Sequence, residues 1–145
     1  PQILNLISSK FMRDIADSYL GFDSQLYSLT TFATRPGEGD HYVMRVHRDY
    51  DDFRFLTFFV CWTDVDERNG ATRYCPRSHI SSKAEISQMI TLDGRAGSVY
   101  AVDTFGLHAG NAELETLRLA TWFRFGTIPN LASIQDKLYL MDISE

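Results

Sequence analysis

Between residues 25 and 125 the chain is punctuated: β-branched and aromatic residues come in short runs, and each run is cut off by a cluster of turn-forming residues. The runs cover residues 25–34, 41–46, 53–62, 71–75, 97–102 and 117–125. The separators are Arg35-Pro36-Gly37-Glu38-Gly39-Asp40, residues 64–70, residues 76–78 and Asp93-Gly94-Arg95. Runs of this length and texture predict strands, and frequent turns between them predict a sandwich or barrel. Asn69-Gly70 is a turn dipeptide and needs no other explanation.

Ahead of this β region, residues 1–20 carry Ile3, Leu4, Ile7, Phe11, Ile15 and Leu20 at roughly helical spacing, with Gly21 as a stop. This predicts one amphipathic helix whose apolar stripe packs on a sheet. Two further short helices are expected at residues 80–92 and 131–140, the latter closing the chain. With 145 residues, 44% of them hydrophobic, the expectation is a single domain over 1–145 with its β core at about 24–126.

Fourteen Lys and Arg stand against nineteen Asp and Glu, a net charge of −5. No basic block is present to track a phosphate backbone, which argues against a nucleic-acid partner. The longest apolar run, within residues 53–62, is too short to cross a bilayer, so no membrane association is expected and the chain reads as a soluble, cytoplasmic protein. Cys61 and Cys75 lie in core-like stretches and are expected as reduced, buried thiols.

Four histidines are present, His41, His47, His79 and His108. His47 and Asp49 are separated by one residue at the end of an expected strand, so period-two alternation sends an imidazole and a carboxylate to one face. A third ligand comes from elsewhere: His108 follows the expected strand 97–102. Two histidines and one carboxylate leave three positions of an octahedron open, the arrangement of non-haem iron oxygenases, whereas a structural zinc site closes its shell with four protein ligands. Asp51 and Asp52, beside Asp49, lack the ligand spacing and read as loop residues.

Ten residues beyond His108, on the next expected strand, stands Arg118. An arginine facing an apolar interior is costly unless it meets an anion, and its planar fork fits a carboxylate. The other readings are that it points to solvent or pairs with Asp103, Glu113 or Glu115. Arg45 and His41 share the alternation of His47, although twist or a bulge would carry Arg45 outward to solvent.

The order of these elements resembles the phytanoyl-CoA dioxygenase family. It runs from His47-Arg48-Asp49 through a buried strand to Asn69-Gly70-Ala71-Thr72-Arg73-Tyr74-Cys75-Pro76-Arg77-Ser78-His79. Gly97-Ser98-Val99-Tyr100, His108 and Arg118 then follow in turn. The resemblance covers roughly residues 40–126. It implies an all-β, cupin-like jelly-roll, the double-stranded β-helix, with flanking helices. It also implies Fe(II) held by His47, Asp49 and His108, and 2-oxoglutarate as co-substrate with Arg118 on its distal carboxylate. The face of residues 53–62 that carries Thr57 would then look into the pocket, where Thr57 either donates to the co-substrate or is simply packed. His79 stays outside the ligand set. The activity implied is O₂-dependent hydroxylation of a small-molecule substrate, with release of succinate and CO₂. A cupin- or lectin-type binding module without turnover is the alternative from another functional class.

Overall fold

The computed structural model describes residues 2–37, 44–81, 83–111 and 114–127. The predicted N-terminal helix is two helices, α1 (Gln2–Ile7) and α2 (Lys10–Leu20). The break falls at Ser8-Ser9, where Ser9 is extended and its hydroxyl accepts the Met12 N–H at 3.3 Å, the way a serine starts a new helix. The new start resets the helical phase. The buried residues of α2 are Met12, Ala16 and Leu20, four apart, whereas Leu4 and Phe11 of the predicted stripe are exposed. Gly21 does end α2, at φ 81°, giving its N–H to the Asp17 carbonyl at 2.8 Å.

The strands are β1 (Gln25–Thr34), β2 (Phe55–Cys61), β3 (Arg73–Tyr74), β4 (Ile90–Thr91), β5 (Val99–Val102), β6 (His108–Ala109) and β7 (Arg118–Gly126). They form two antiparallel sheets, one in the order β1-β7-β2-β5 and one in the order β4-β3-β6. The architecture is mostly β with N-terminal helices.

Two expected elements differ. Residues 44–46 form a turn and not a strand, and His41 lies outside the described residues. In place of a helix over 80–92 there is a 3-10 turn at Ile86–Gln88 followed by β4. Ile86 and Ile90 are both exposed, so a helix there would have no apolar stripe to bury, while pairing of Thr91 with Arg73 satisfies the backbone. The predicted helix at 131–140 lies outside the described residues.

The larger sheet has two different faces, and the difference positions everything that follows. Leu56, Phe58 and Val60 of β2 join Phe123 and Phe125 of β7 and pack against Ile7, Met12, Ala16 and Leu20 of the helices. Phe58 stacks on Phe123 with ring centroids 5.0 Å apart and meets Phe125 edge-on at 5.9 Å. Burying an aromatic ring of this size contributes about 2–3 kcal/mol, so this layer anchors the sheet. By alternation the opposite face carries Phe55, Thr57, Phe59 and Cys61 from β2 and Arg118, Ala120, Trp122 and Arg124 from β7. The register sets Thr57 opposite Arg124, Phe59 opposite Trp122 and Cys61 opposite Ala120. Both cysteines are free and buried, and no helix of the described residues is long and apolar enough to cross a membrane.

Candidate metal centre

His108 sits at the edge of the smaller sheet, paired with Tyr74 of β3 on one side. On its other side it forms an isolated antiparallel bridge with His47, each donating its N–H to the other's carbonyl at 2.9 and 3.0 Å. Residues directly opposed in an antiparallel pair present their side chains on one face, and the two imidazole centroids are 4.2 Å apart. Asp49, two residues on, gives its N–H to the Thr104 carbonyl at 2.9 Å, and this keeps its carboxylate on the same side. Asp49 Oδ1 lies 3.5 Å from His47 Nε2 and Asp49 Oδ2 lies 3.6 Å from His108 Nε2. One donor atom from each of the three residues falls within 4.8 Å of the others, spacing that one metal ion can bridge.

The tautomers suit a metal. His47 Nδ1 lies 2.8 Å from the Arg45 carbonyl and His108 Nδ1 lies 2.9 Å from the Gly106 carbonyl. A carbonyl can only accept, so each Nδ1 carries a hydrogen, and it is the Nε2 of each ring that faces Asp49 and is placed to ligate a metal. Burial also pushes the pKa of His108 below its usual value, against a smaller opposing pull from the Gly106 carbonyl and Asp49, which favours the neutral ring. The loop before His108 is fixed by Ser78, whose hydroxyl donates to the Cys75 carbonyl at 2.6 Å and accepts the Leu107 N–H at 2.7 Å. A Cβ on Gly106 would stand only 2.6 Å from Tyr74 Oη and 2.8 Å from Ser78 Oγ, so this approach requires glycine. His79 is 3.3 Å from Tyr74 Oη and takes no part in the cluster.

Arg118 is buried, and points neither to solvent nor to any described carboxylate. Its Nη2 is 3.4 Å from Thr72 Oγ1, at the limit for a hydrogen bond, and its Cζ lies 5.1 Å from the Phe32 ring centroid. Its Nε is buried with no hydrogen-bond partner among the described residues. Burial lowers the pKa of the guanidinium from its usual value. Asp103 instead accepts from Tyr19, and Glu115 pairs with Arg68. Arg118 lines a small cavity with Phe59, Cys61, Thr72, Leu92 and Tyr100.

Thr57 is fully buried on the same face of the sheet, its Oγ1 2.9 Å from Thr104 Oγ1 and 3.2 Å from Arg124 Nε. Arg124 had no place in the sequence reading, yet it reaches the cluster directly: its Nη2 donates to Asp49 Oδ2 at 2.6 Å. The available signal was its distance from Arg118. Six residues is an even number, so on one strand the two arginines share a face. Arg45, by contrast, is exposed at the turn before His47.

No protein-family model and no curated protein matches the sequence. Solved structures do match in fold. The non-heme α-ketoglutarate-dependent carbocyclase SnoK from nogalamycin biosynthesis is 18% identical at a TM-score of 0.70, over 86% of this chain and 59% of that one. The epimerase SnoN in complex with Fe3+, α-ketoglutarate and nogalamycin RO is 21% identical at a TM-score of 0.67, over 85% of this chain and 57% of that one. EctD from S. alaskensis with bound Fe is 17% identical at a TM-score of 0.67, over 88% of this chain and 53% of that one. At these identities the likeness is one of fold. The chain spans between about half and three fifths of the length of these three proteins.

Proposed function

We propose that this chain is the double-stranded β-helix domain of an Fe(II)- and 2-oxoglutarate-dependent oxygenase of the phytanoyl-CoA dioxygenase type, acting in the cytoplasm on a small organic substrate. The observation that carries the proposal is the convergence of His47, Asp49 and His108 within 4.8 Å, with both imidazoles anchored through Nδ1. Two neutral imidazoles and one carboxylate suit Fe(II) and leave room for a chelating co-substrate and O₂. When bound, the iron with 2-oxoglutarate and O₂ would supply the oxidising power, with succinate and CO₂ as by-products.

The protein's own residues would then bind and orient. Arg118 supports the second half of the reading: a buried guanidinium whose Nε has no hydrogen-bond partner among the described residues is costly until an anion completes it, and a distal carboxylate matches its fork. Thr72, at 3.4 Å from Nη2, would share that carboxylate. Thr57 can accept from both Arg124 and Thr104, which leaves its own proton to give to a co-substrate oxygen. With a carboxylate at position 49 the donor set is complete without a halide, which favours hydroxylation over halogenation.

The test is anaerobic titration with Fe(II) or Mn(II), then with 2-oxoglutarate, followed by O₂-dependent succinate formation over a panel of metabolites. The expected result is metal binding near equal stoichiometry, metal-dependent binding of 2-oxoglutarate, and succinate release above the protein-free control. Binding of a small molecule with neither O₂ uptake nor succinate would instead assign a binding module.

A further inference from the structure

Arg124 makes several directed contacts beside the cluster. It stands on β7 opposite Thr57. Its Nη2 donates to Asp49 Oδ2 at 2.6 Å, its Nη1 pairs with Asp51, and its Nε donates to Thr57 Oγ1 at 3.2 Å. The guanidinium lies 4.3 Å from the Trp122 ring centroid and 5.7 Å from that of Phe55, and the side chain is only 11% exposed. All three nitrogens are therefore engaged, by two carboxylates of the segment 49–51 and by a hydroxyl of β2, and aromatic rings hold the plane.

A carboxylate facing a divalent ion can bind through one oxygen or through both, and a charge-assisted hydrogen bond on one oxygen decides between them. We infer that Arg124 is a positioning residue of the metal centre: by holding Asp49 Oδ2 it favours Asp49 as a one-oxygen ligand and keeps Asp51 from becoming a competing one. This rests on the reading of His47, Asp49 and His108 as metal ligands. Thr57 serves the same end by fixing the Nε edge of the fork, and so the angle at which Nη2 meets Asp49. The physical need is clear from the charges. Without Arg124, two carboxylates two residues apart would share one small volume, and either could swing onto the metal with both oxygens, consuming a position that co-substrate or O₂ requires.

The experiment compares wild type with Arg124→Gln, Arg124→Lys and Thr57→Val. Mn(II) affinity is read by electron paramagnetic resonance and the coordination of Co(II) by visible absorption, with thermal melts to confirm folding. Loss of a residue that orients a metal ligand typically weakens metal binding by about 10–100-fold. Arg124→Gln is expected to fall in that range and to change the Co(II) spectrum as Asp49 turns to two-oxygen binding. Arg124→Lys, which returns the charge without the fork, should resemble Gln and not wild type. Thr57→Val should shift both readouts in the same direction by less. Wild-type affinity and spectrum in a folded Arg124→Gln would overturn the inference, as would full rescue by lysine. If Arg124→Gln does not fold, Thr57→Val decides by the same two readouts. Failure of the wild-type protein itself to bind Mn(II) or Co(II) would overturn the metal-centre reading, and this inference with it.

Discussion

Replacing Arg118 by methionine should move stability and co-substrate binding in opposite directions. In the free protein the guanidinium has lost its water, which costs several kcal/mol for a buried ion. What offsets this is small: one hydrogen bond of 3.4 Å to Thr72 and a cation–π contact with Phe32 at 5.1 Å. The first is near the limit of bonding, and the second contributes about 0.5–2 kcal/mol. Methionine fills similar space without a charge, so Arg118→Met should leave the melting temperature of the metal-free protein unchanged, or raise it by a few degrees for about 1 kcal/mol gained. Truncating one partner of a buried charge pair costs about 2–5 kcal/mol of binding. At about 1.4 kcal/mol per tenfold, affinity for 2-oxoglutarate should fall by about 30-fold to about 4,000-fold. Mn(II) affinity should stay within a few-fold, because Arg118 is not part of the ligand cluster. Calorimetric titration of the Mn(II)-loaded variant with 2-oxoglutarate, alongside thermal melts, checks both halves. Unchanged 2-oxoglutarate affinity would remove Arg118 from this role. A melting temperature many degrees below wild type would show that the arginine is needed by the fold itself.

Other outcomes follow from individual residues. Arg77 is the one non-glycine residue with positive φ among the described residues, at 64°; relief of the left-handed strain should let Arg77→Gly gain about 1 kcal/mol in urea melts, net of the added chain entropy. Tyr27 Oη is buried without a hydrogen-bond partner among the described residues, and burial holds its pKa well above the usual tyrosine value. Tyr27→Phe should therefore be neutral or stabilising in the same assay, since it removes a polar group that pays for burial with nothing in return. Phe123 has no exposed surface and stacks on Phe58 at 5.0 Å; Phe123→Ala should cost about 3–5 kcal/mol, measured by the urea midpoint, without altering the His47–Asp49–His108 cluster, which this sheet meets from its opposite face through Arg124.

Local periodicity made much of this protein legible. The run 25–34 coincides with β1, and the runs around β2, β5 and β7 differ from the strands only at their ends. The His-x-Asp spacing pairs His47 with Asp49, although the strand expected before them is a turn, and the structure has His108 within 4.8 Å of both. The misses have local causes as well. The helical stripe of residues 1–20 runs across Ser8-Ser9, where a serine cap starts a second helix, and β4 and β6, two residues each, are too short to carry a period.

Alternation also set Arg118 and Arg124 on one face of one strand, but nothing in the order of residues says which arginine is already committed and which is left over. That was decided by the register of β7 against β2, which puts Arg124 beside Thr57 and within 2.6 Å of Asp49, while Arg118 meets Thr72 and keeps an Nε without a hydrogen-bond partner among the described residues. Side-chain direction along a strand depends on the backbone's own repeat of two, whereas the neighbour met on arrival depends on packing between segments more than 40 residues apart: Arg118 meets Thr72 across a separation of 46 residues and Arg124 meets Asp49 across 75. The first is a short-range property written residue by residue; the second exists only once the sheets have closed on each other.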